Sequence, residues 1–134
     1  MLLEMLLGVV YVLCATVSLW SLGQLKGFLA ATSAISDRSS LARYKALARL
    51  QMYLALAMIV LMGAGLIVGI MVIRRHGLPG LALVIAANLV VLGLGLYHKK
   101  VEGTVRGLPV GSDALAEEYR QVSETWVKKA LPDF

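Results

Sequence analysis

Residues 50–73 read LQMYLALAMIVLMGAGLIVGIMVI, a stretch of 24 residues without a single Asp, Glu, Lys or Arg. Arg49 precedes this stretch and Arg74 follows it. At 1.5 Å of rise per residue, a helix of this length measures roughly 36 Å and exceeds the ~30 Å hydrocarbon core of a bilayer. The stretch therefore predicts a helix that crosses a membrane.

Two further stretches share this character: Met5 to Leu25 and His76 to His98 contain 21 and 23 residues without Asp, Glu, Lys or Arg. Charged residues make up 16% of the chain, against about 25% in a soluble domain. We predict an all-α integral membrane protein with three transmembrane helices. We expect the first stretch to stay as a helix rather than to be removed as a signal peptide, because no basic residue precedes it.

The first two helices are predicted to form a long antiparallel hairpin. The turn is placed at residues 33–40, where Ser and Asp favour turns and caps, and Asp37, Ser39 or Ser40 is expected to be the N-cap. The second helix is expected to run from about Leu41 to Arg75. Its first ten residues carry three basic side chains, so this part is expected to project beyond the lipid.

The second half of the chain is predicted to contain a tight turn, a third span and a final helix. Gly77 suits the end of one helix and Pro79 the start of the next, which is expected to end near Lys99. The predicted divisions are 1–102 for the three-span domain, 103–111 for a linker rich in helix breakers, and 112–134 for a C-terminal amphipathic helix.

The distribution of basic residues predicts the orientation. Eight lie near the membrane on the side of the first loop and the C-terminus, and only Arg74 and Arg75 lie on the other side. The positive-inside rule then places the N-terminus outside and the C-terminal helix in the cytoplasm, most simply of a bacterial inner membrane. The net charge of +5 is read as this bias, with no nucleic acid as partner.

Few side chains in the spans could carry chemistry. Asn88 lies near the middle of the third span and is expected to form an interhelical hydrogen bond, within this chain or to another. His76 and His98 bracket that span, roughly 33 Å apart along a helix, so they cannot bind one haem or metal together. Each remains a weak candidate for a haem or quinone contact with a partner subunit. Gln24 and Gln51 are expected to be solvated or bonded to lipid headgroups.

Small residues and the last helix are the better candidates for interfaces. Gly65 and Gly69 in the second span, and Ala82 and Ala86 in the third, have the four-residue spacing that lets helix backbones approach closely. This spacing serves either the internal hairpin or docking to another chain. The apolar face of the last helix, with Tyr119 and Trp126, is expected to contact protein rather than lipid, either the hairpin's cytoplasmic extension or a larger partner.

These observations predict a non-catalytic accessory subunit of a larger membrane protein complex. Membrane lipids and other membrane subunits are the expected partners, with a hetero-complex favoured over a homo-oligomer. We expect no enzyme activity, no metal and no cofactor apart from lipid contacts. Two alternatives stay open: a self-assembling pore or holin-like channel, and a haem or quinone anchor of an electron-transfer complex.

Overall fold

The computed structural model describes all residues, 1–134, as four helices with no strand. They are α1 (Leu2–Ala31), α2 (Arg38–His76), α3 (Leu78–Arg106) and α4 (Asp113–Lys128). The first three are long and apolar enough to cross a membrane. The predicted all-α fold, with three helices able to span a membrane and a fourth helix after them, is confirmed.

The three spans alternate in direction, which gives the bundle two different ends. The end with Met1 and the α2–α3 turn carries only two of the 13 Lys and Arg, Arg74 and Arg75. The opposite end, which we call the four-helix end, contains the first loop, the end of α3 and all of α4. The other eleven basic residues lie at or near this end.

Two glycines shape the turn between α2 and α3. Gly77 has φ +66°, a conformation that side chains with a Cβ rarely adopt, and it separates His76 from Leu78. Gly80 lies against α2, where an added Cβ would come within 2.8 Å of the Val72 carbonyl oxygen. Pro79 occupies the first turn of α3, where no backbone N–H is needed. The predicted turn is confirmed.

The second helix begins at Arg38, three residues before the predicted Leu41, because Asp37 and Ser40 form a capping box. Asp37 Oδ1 accepts from the Ser40 N–H at 2.7 Å, and Ser40 Oγ accepts from the Asp37 N–H at 3.1 Å. The hydrogen bonds from Ser40 lower the pKa of Asp37. Of the three predicted N-cap candidates, Asp37 is the one the structure uses.

The predicted linker at 103–111 is wrong in its first part. The third helix continues through Gly103 to Arg106, because Val101 and Val105 are buried and their packing outweighs the low helix propensity of glycine. The shorter link that remains, residues 107–112, packs on the first loop, residues 32–37. Ile35 N–H donates to Pro109 O at 2.8 Å, and Gly111 N–H donates to Ile35 O at 2.9 Å.

The main core lies at the four-helix end and unites the three spanning helices with α4. Tyr44 of α2 is fully buried at its centre, with its ring centroid 4.5 Å from that of Tyr119 and 6.0 Å from that of Trp126. Tyr44 Oη lies 2.6 Å from Ser123 Oγ. Residues 112–134 are therefore packed against the hairpin and do not hang free as a separate unit.

Candidate functional site

Gly65 and Gly69, predicted as close-packing residues, are used inside the chain. A Cβ on Gly65 would lie 3.4 Å from Val10 Cγ1 in α1, and one on Gly69 would lie 3.4 Å from Val84 Cγ1 in α3. Both glycines are buried. They bring α2 close to its two neighbours, so they are not exposed for a partner chain.

Ala82 and Ala86, unlike the two glycines, do not pack against another helix of the chain. Both are exposed on α3, and Gly93 is exposed on the same face because spacings of four and seven residues return to one side of a helix. No atom outside its own helix backbone would come within 4 Å of a Cβ on Gly93. We call Ala82, Ala86 and Gly93 the small-residue face of α3.

Asn88 forms the interhelical hydrogen bond that its position predicted, and it does so within the chain. Its Nδ2 donates to Tyr11 Oη in α1 at 2.6 Å and to the Val84 carbonyl oxygen at 2.8 Å. The amide is half-buried between the two helices. Asn88 thus ties α3 to α1, and its amide N–H groups are not free for a partner.

Tyr119 and Trp126 also belong to the interior: of the two protein contacts predicted for this face, the structure shows the one with the hairpin of the same chain. They are 7% and 8% exposed. Tyr119 Oη donates to the Val105 carbonyl oxygen at 2.5 Å and accepts from the Leu108 N–H at 3.2 Å. Burial raises the pKa of Tyr119, which keeps this hydroxyl protonated as a donor. The apolar face of α4 therefore closes the core of its own chain.

The two histidines lie at opposite ends of the bundle, as predicted. His76 Nε2 pairs with Glu4 Oε1, which joins the end of α2 to the start of α1. His98 lies near the four-helix end, where it meets Ser21 of α1 and Gln51 of α2. A haem iron would have to displace the partners of these ring nitrogens.

Gln51 was expected to be solvated or bonded to headgroups, and this prediction is wrong. Its side chain is 3% exposed and lies between α1 and α3. Gln51 Oε1 accepts from Ser21 Oγ at 2.5 Å, and Gln51 Nε2 donates to the Ser21 carbonyl oxygen at 3.0 Å. His98 Nε2 lies 2.7 Å from Ser21 Oγ and 3.0 Å from Gln51 Oε1. We call Ser21, Gln51 and His98 the polar cluster.

The geometry of the polar cluster assigns the protons. Gln51 Oε1 can only accept, and the one Ser21 hydroxyl proton is donated to it. The contacts from His98 Nε2 to Ser21 and Gln51 then require a proton on Nε2. The other ring nitrogen, Nδ1, lies 3.4 Å from Glu102 Oε2. His98 Nε2 is therefore engaged within the chain.

A cavity of about 650 Å³ opens beside the polar cluster, between the three spans and the end of α4. Its lining is polar at the four-helix end, where His98, Lys99, Glu102 and Arg106 lie, and apolar toward the middle of the membrane. The sequence offered a weak signal for this site. Ser21, Gln51 and His98 are polar residues just inside the ends of three apolar stretches that the topology brings to one level.

Comparisons of the chain with protein-family models, with curated proteins and with solved structures found no match. Within the chain, no three His, Cys, Asp or Glu side chains are grouped so that they could hold a metal ion. Function is therefore inferred from the surfaces, the polar cluster and the cavity.

Proposed function

We propose that this protein is a non-catalytic accessory subunit of a larger membrane protein complex, and that it docks through the small-residue face of α3. The exposure of α3 carries this proposal. Within an apolar 18-residue stretch of each span, 6% of the residues are buried in α3, against 17% in α1 and 22% in α2. The third span therefore has the largest surface free for lipid or for another helix.

The small residues give a reason to favour a helix over lipid on that surface. Because lipid tails are as apolar as the side chains, helices associate in membranes where small residues let them approach closely. Gly65 and Gly69 serve such contacts within the chain, whereas Ala82, Ala86 and Gly93 have no helix against them. A partner helix on this face would complete the packing of α3.

The end of α4 extends the proposed docking surface outside the membrane. Tyr119 and Trp126 are buried, but Val127 and Leu131 are 61% and 57% exposed just beyond them. Two large apolar side chains at this position suit contact with a partner or with the membrane surface. We further propose that this end lies in the cytoplasm and the N-terminus outside, in a bacterial inner membrane, because eleven of the 13 Lys and Arg lie at the four-helix end.

The two alternatives receive less support. A pore needs a polar face along its spans, but the exposed residues of the three charge-free stretches are almost all apolar. A haem anchor needs a histidine nitrogen free to bind iron, and the Nε2 atoms of His76 and His98 are both engaged within the chain.

Pull-down from native membranes in mild detergent, followed by mass spectrometry, tests the proposal. Tagged wild-type protein should bring down larger membrane proteins, and Ala86→Leu should lose them because the new side chain blocks close approach. Ala57→Leu is the matched control, since Ala57 is exposed on α2. Equal recovery of partners by all three proteins, or recovery of the chain alone as a ring, would contradict the proposal.

A further inference from the structure

The cavity beside the polar cluster has an apolar half and a charged half. The apolar half is lined by Val17 of α1 and by Leu54, Met58 and Ile59 of α2. Met58 follows Gln51 by seven residues, so it lies roughly 10 Å deeper in the membrane. Such a lining fits an amphiphile whose chain lies in the bilayer and whose head lies at the interface.

The charged half carries an excess of positive charge. Lys99, Arg106 and Lys129 line it, together with one carboxylate, Glu102. Glu102 is already shared, since its oxygens lie 3.4 Å from His98 Nδ1 and 3.7 Å from Arg106 Nη1. Lys129 pairs with Asp133. Lys99 is exposed at the mouth, and it adds a cation that Glu102 does not neutralise.

Arg106 is held in a position to receive an anion. Its guanidinium lies 5.6 Å from the centroid of the Trp126 ring, within cation–π distance. The 3.7 Å to Glu102 exceeds hydrogen-bond distance, so the N–H groups remain able to donate to another acceptor. Arginine presents these donors in a fork that matches the oxygens of a phosphate.

We propose that this cavity binds one anionic phospholipid, with its phosphate on Arg106 and Lys99 and one acyl chain against Leu54, Met58 and Ile59. Basic pockets between transmembrane helices bind anionic headgroups in this way. The volume of about 650 Å³ lies within the ~300–1,000 Å³ range of small-molecule sites. A neutral quinone fits less well, because it would leave Lys99 without a counter-charge and because His98 Nε2 is already used within the chain.

The lipid would join all four helices, which come together only at the four-helix end. Arg106 and Lys99 belong to α3, whereas the apolar wall belongs to α1 and α2, and Trp126 belongs to α4. A molecule that contacts all four helices and binds only the folded chain stabilises that fold by mass action. Bound lipid should therefore raise the melting temperature of the purified protein.

Native mass spectrometry of the full chain in a neutral detergent tests the proposal. The probes are dioleoyl phosphatidylglycerol, dioleoyl phosphatidylcholine and inorganic phosphate. We expect one phosphatidylglycerol to be retained, phosphatidylcholine to be lost, and phosphate alone neither to bind nor to displace the lipid. Lys99→Gln and Arg106→Gln should each weaken retention about five-fold. Lys100→Gln is the matched control for Lys99→Gln, since Lys100 follows Lys99 in the sequence and lies outside the cavity.

A second pair of variants tests the apolar half without changing charge or the contact with Trp126. Ala55 lines the cavity and Ala57 does not, although both are exposed on α2. Ala55→Trp should fill the cavity and abolish retention, and Ala57→Trp should leave it unchanged. Equal retention of both lipids, equal weakening by Lys99→Gln and Lys100→Gln, or co-purification of a quinone in place of lipid would overturn the proposal.

Discussion

Gln51 and His98 meet between the second and third helices, with Gln51 Oε1 3.0 Å from His98 Nε2. Both polar side chains lie just inside apolar stretches, and Gln51 is buried. Each also contacts Ser21 of the first helix. This one junction therefore connects all three spans at the level where the bundle leaves the membrane.

Replacement of Gln51 by Leu should destabilise the bundle by roughly 1–3 kcal/mol, because the buried Ser21 hydroxyl would lose the acceptor of its proton and His98 Nε2 one of its two acceptors. Unfolding in a detergent and denaturant series measures the change. Gln24→Leu is the control, since Gln24 is exposed on α1. If Gln51→Leu unfolds at the same denaturant concentration as the wild type, the junction has no structural role.

The pair formed by Asn88 and Tyr11 should be weaker than this junction. Asn88→Leu and Tyr11→Phe each remove the 2.6 Å hydrogen bond, and each should cost about 1 kcal/mol. The double variant should cost less than the sum of the two, because both changes remove the same interaction. Additive losses in the unfolding free energy would show that the two side chains are not coupled.

Gly80 should tolerate no side chain. Gly80→Ala places a Cβ 2.8 Å from the Val72 carbonyl oxygen, so α3 must move away from α2 at the turn, at a cost of about 1–3 kcal/mol. Gly93→Ala is the matched control, because no atom would lie within 4 Å of its new Cβ. A smaller loss of unfolding free energy for Gly80→Ala than for Gly93→Ala would contradict the packing of the turn.

Docking of the fourth helix should weaken in acid. Lys45 and Arg38 of α2 lower the pKa of Glu118 below its ordinary 4.5. A carboxyl whose pKa is lower in the docked state stabilises that state fully at pH values above its ordinary pKa. This stabilisation is lost as the pH falls through the lowered pKa of the docked state. Trp126 fluorescence in a Trp20→Phe background should report loosening below about pH 4.5, the ordinary value for the free carboxyl.

Glu118→Gln should weaken docking near neutral pH and flatten this acid dependence. Glu117→Gln is the control, because the pKa of Glu117 is lowered mainly by Arg120 on the same helix, docked or not. An acid transition of unchanged size in Glu118→Gln would show that the contacts with Lys45 and Arg38 do not link α4 to α2.

Sequence reasoning reached the fold because each of its signals is local. The charge-free stretches, the turn at Gly77 and Pro79 and a cap at Asp37, Ser39 or Ser40 each lie within one continuous segment of the chain. The end of α3 was missed because Gly103 has a low helix propensity and predicts a break. The burial of Val101 and Val105 keeps the chain helical beyond this residue. The polar cluster was missed because Ser21, Gln51 and His98 are far apart in sequence. Their meeting depends on the register of three helices, which hydropathy does not set.

The central claim is that the chain crosses the membrane three times, with the four-helix end inside. Single cysteines at Arg75, Ser39 and Ala130, in a Cys14→Ala background, can be labelled with an impermeant maleimide in intact spheroplasts. The account predicts that the Arg75 position is labelled from outside, and that the other two are labelled only after permeabilisation. Labelling of Arg75 and Ala130 positions from the same side would contradict it.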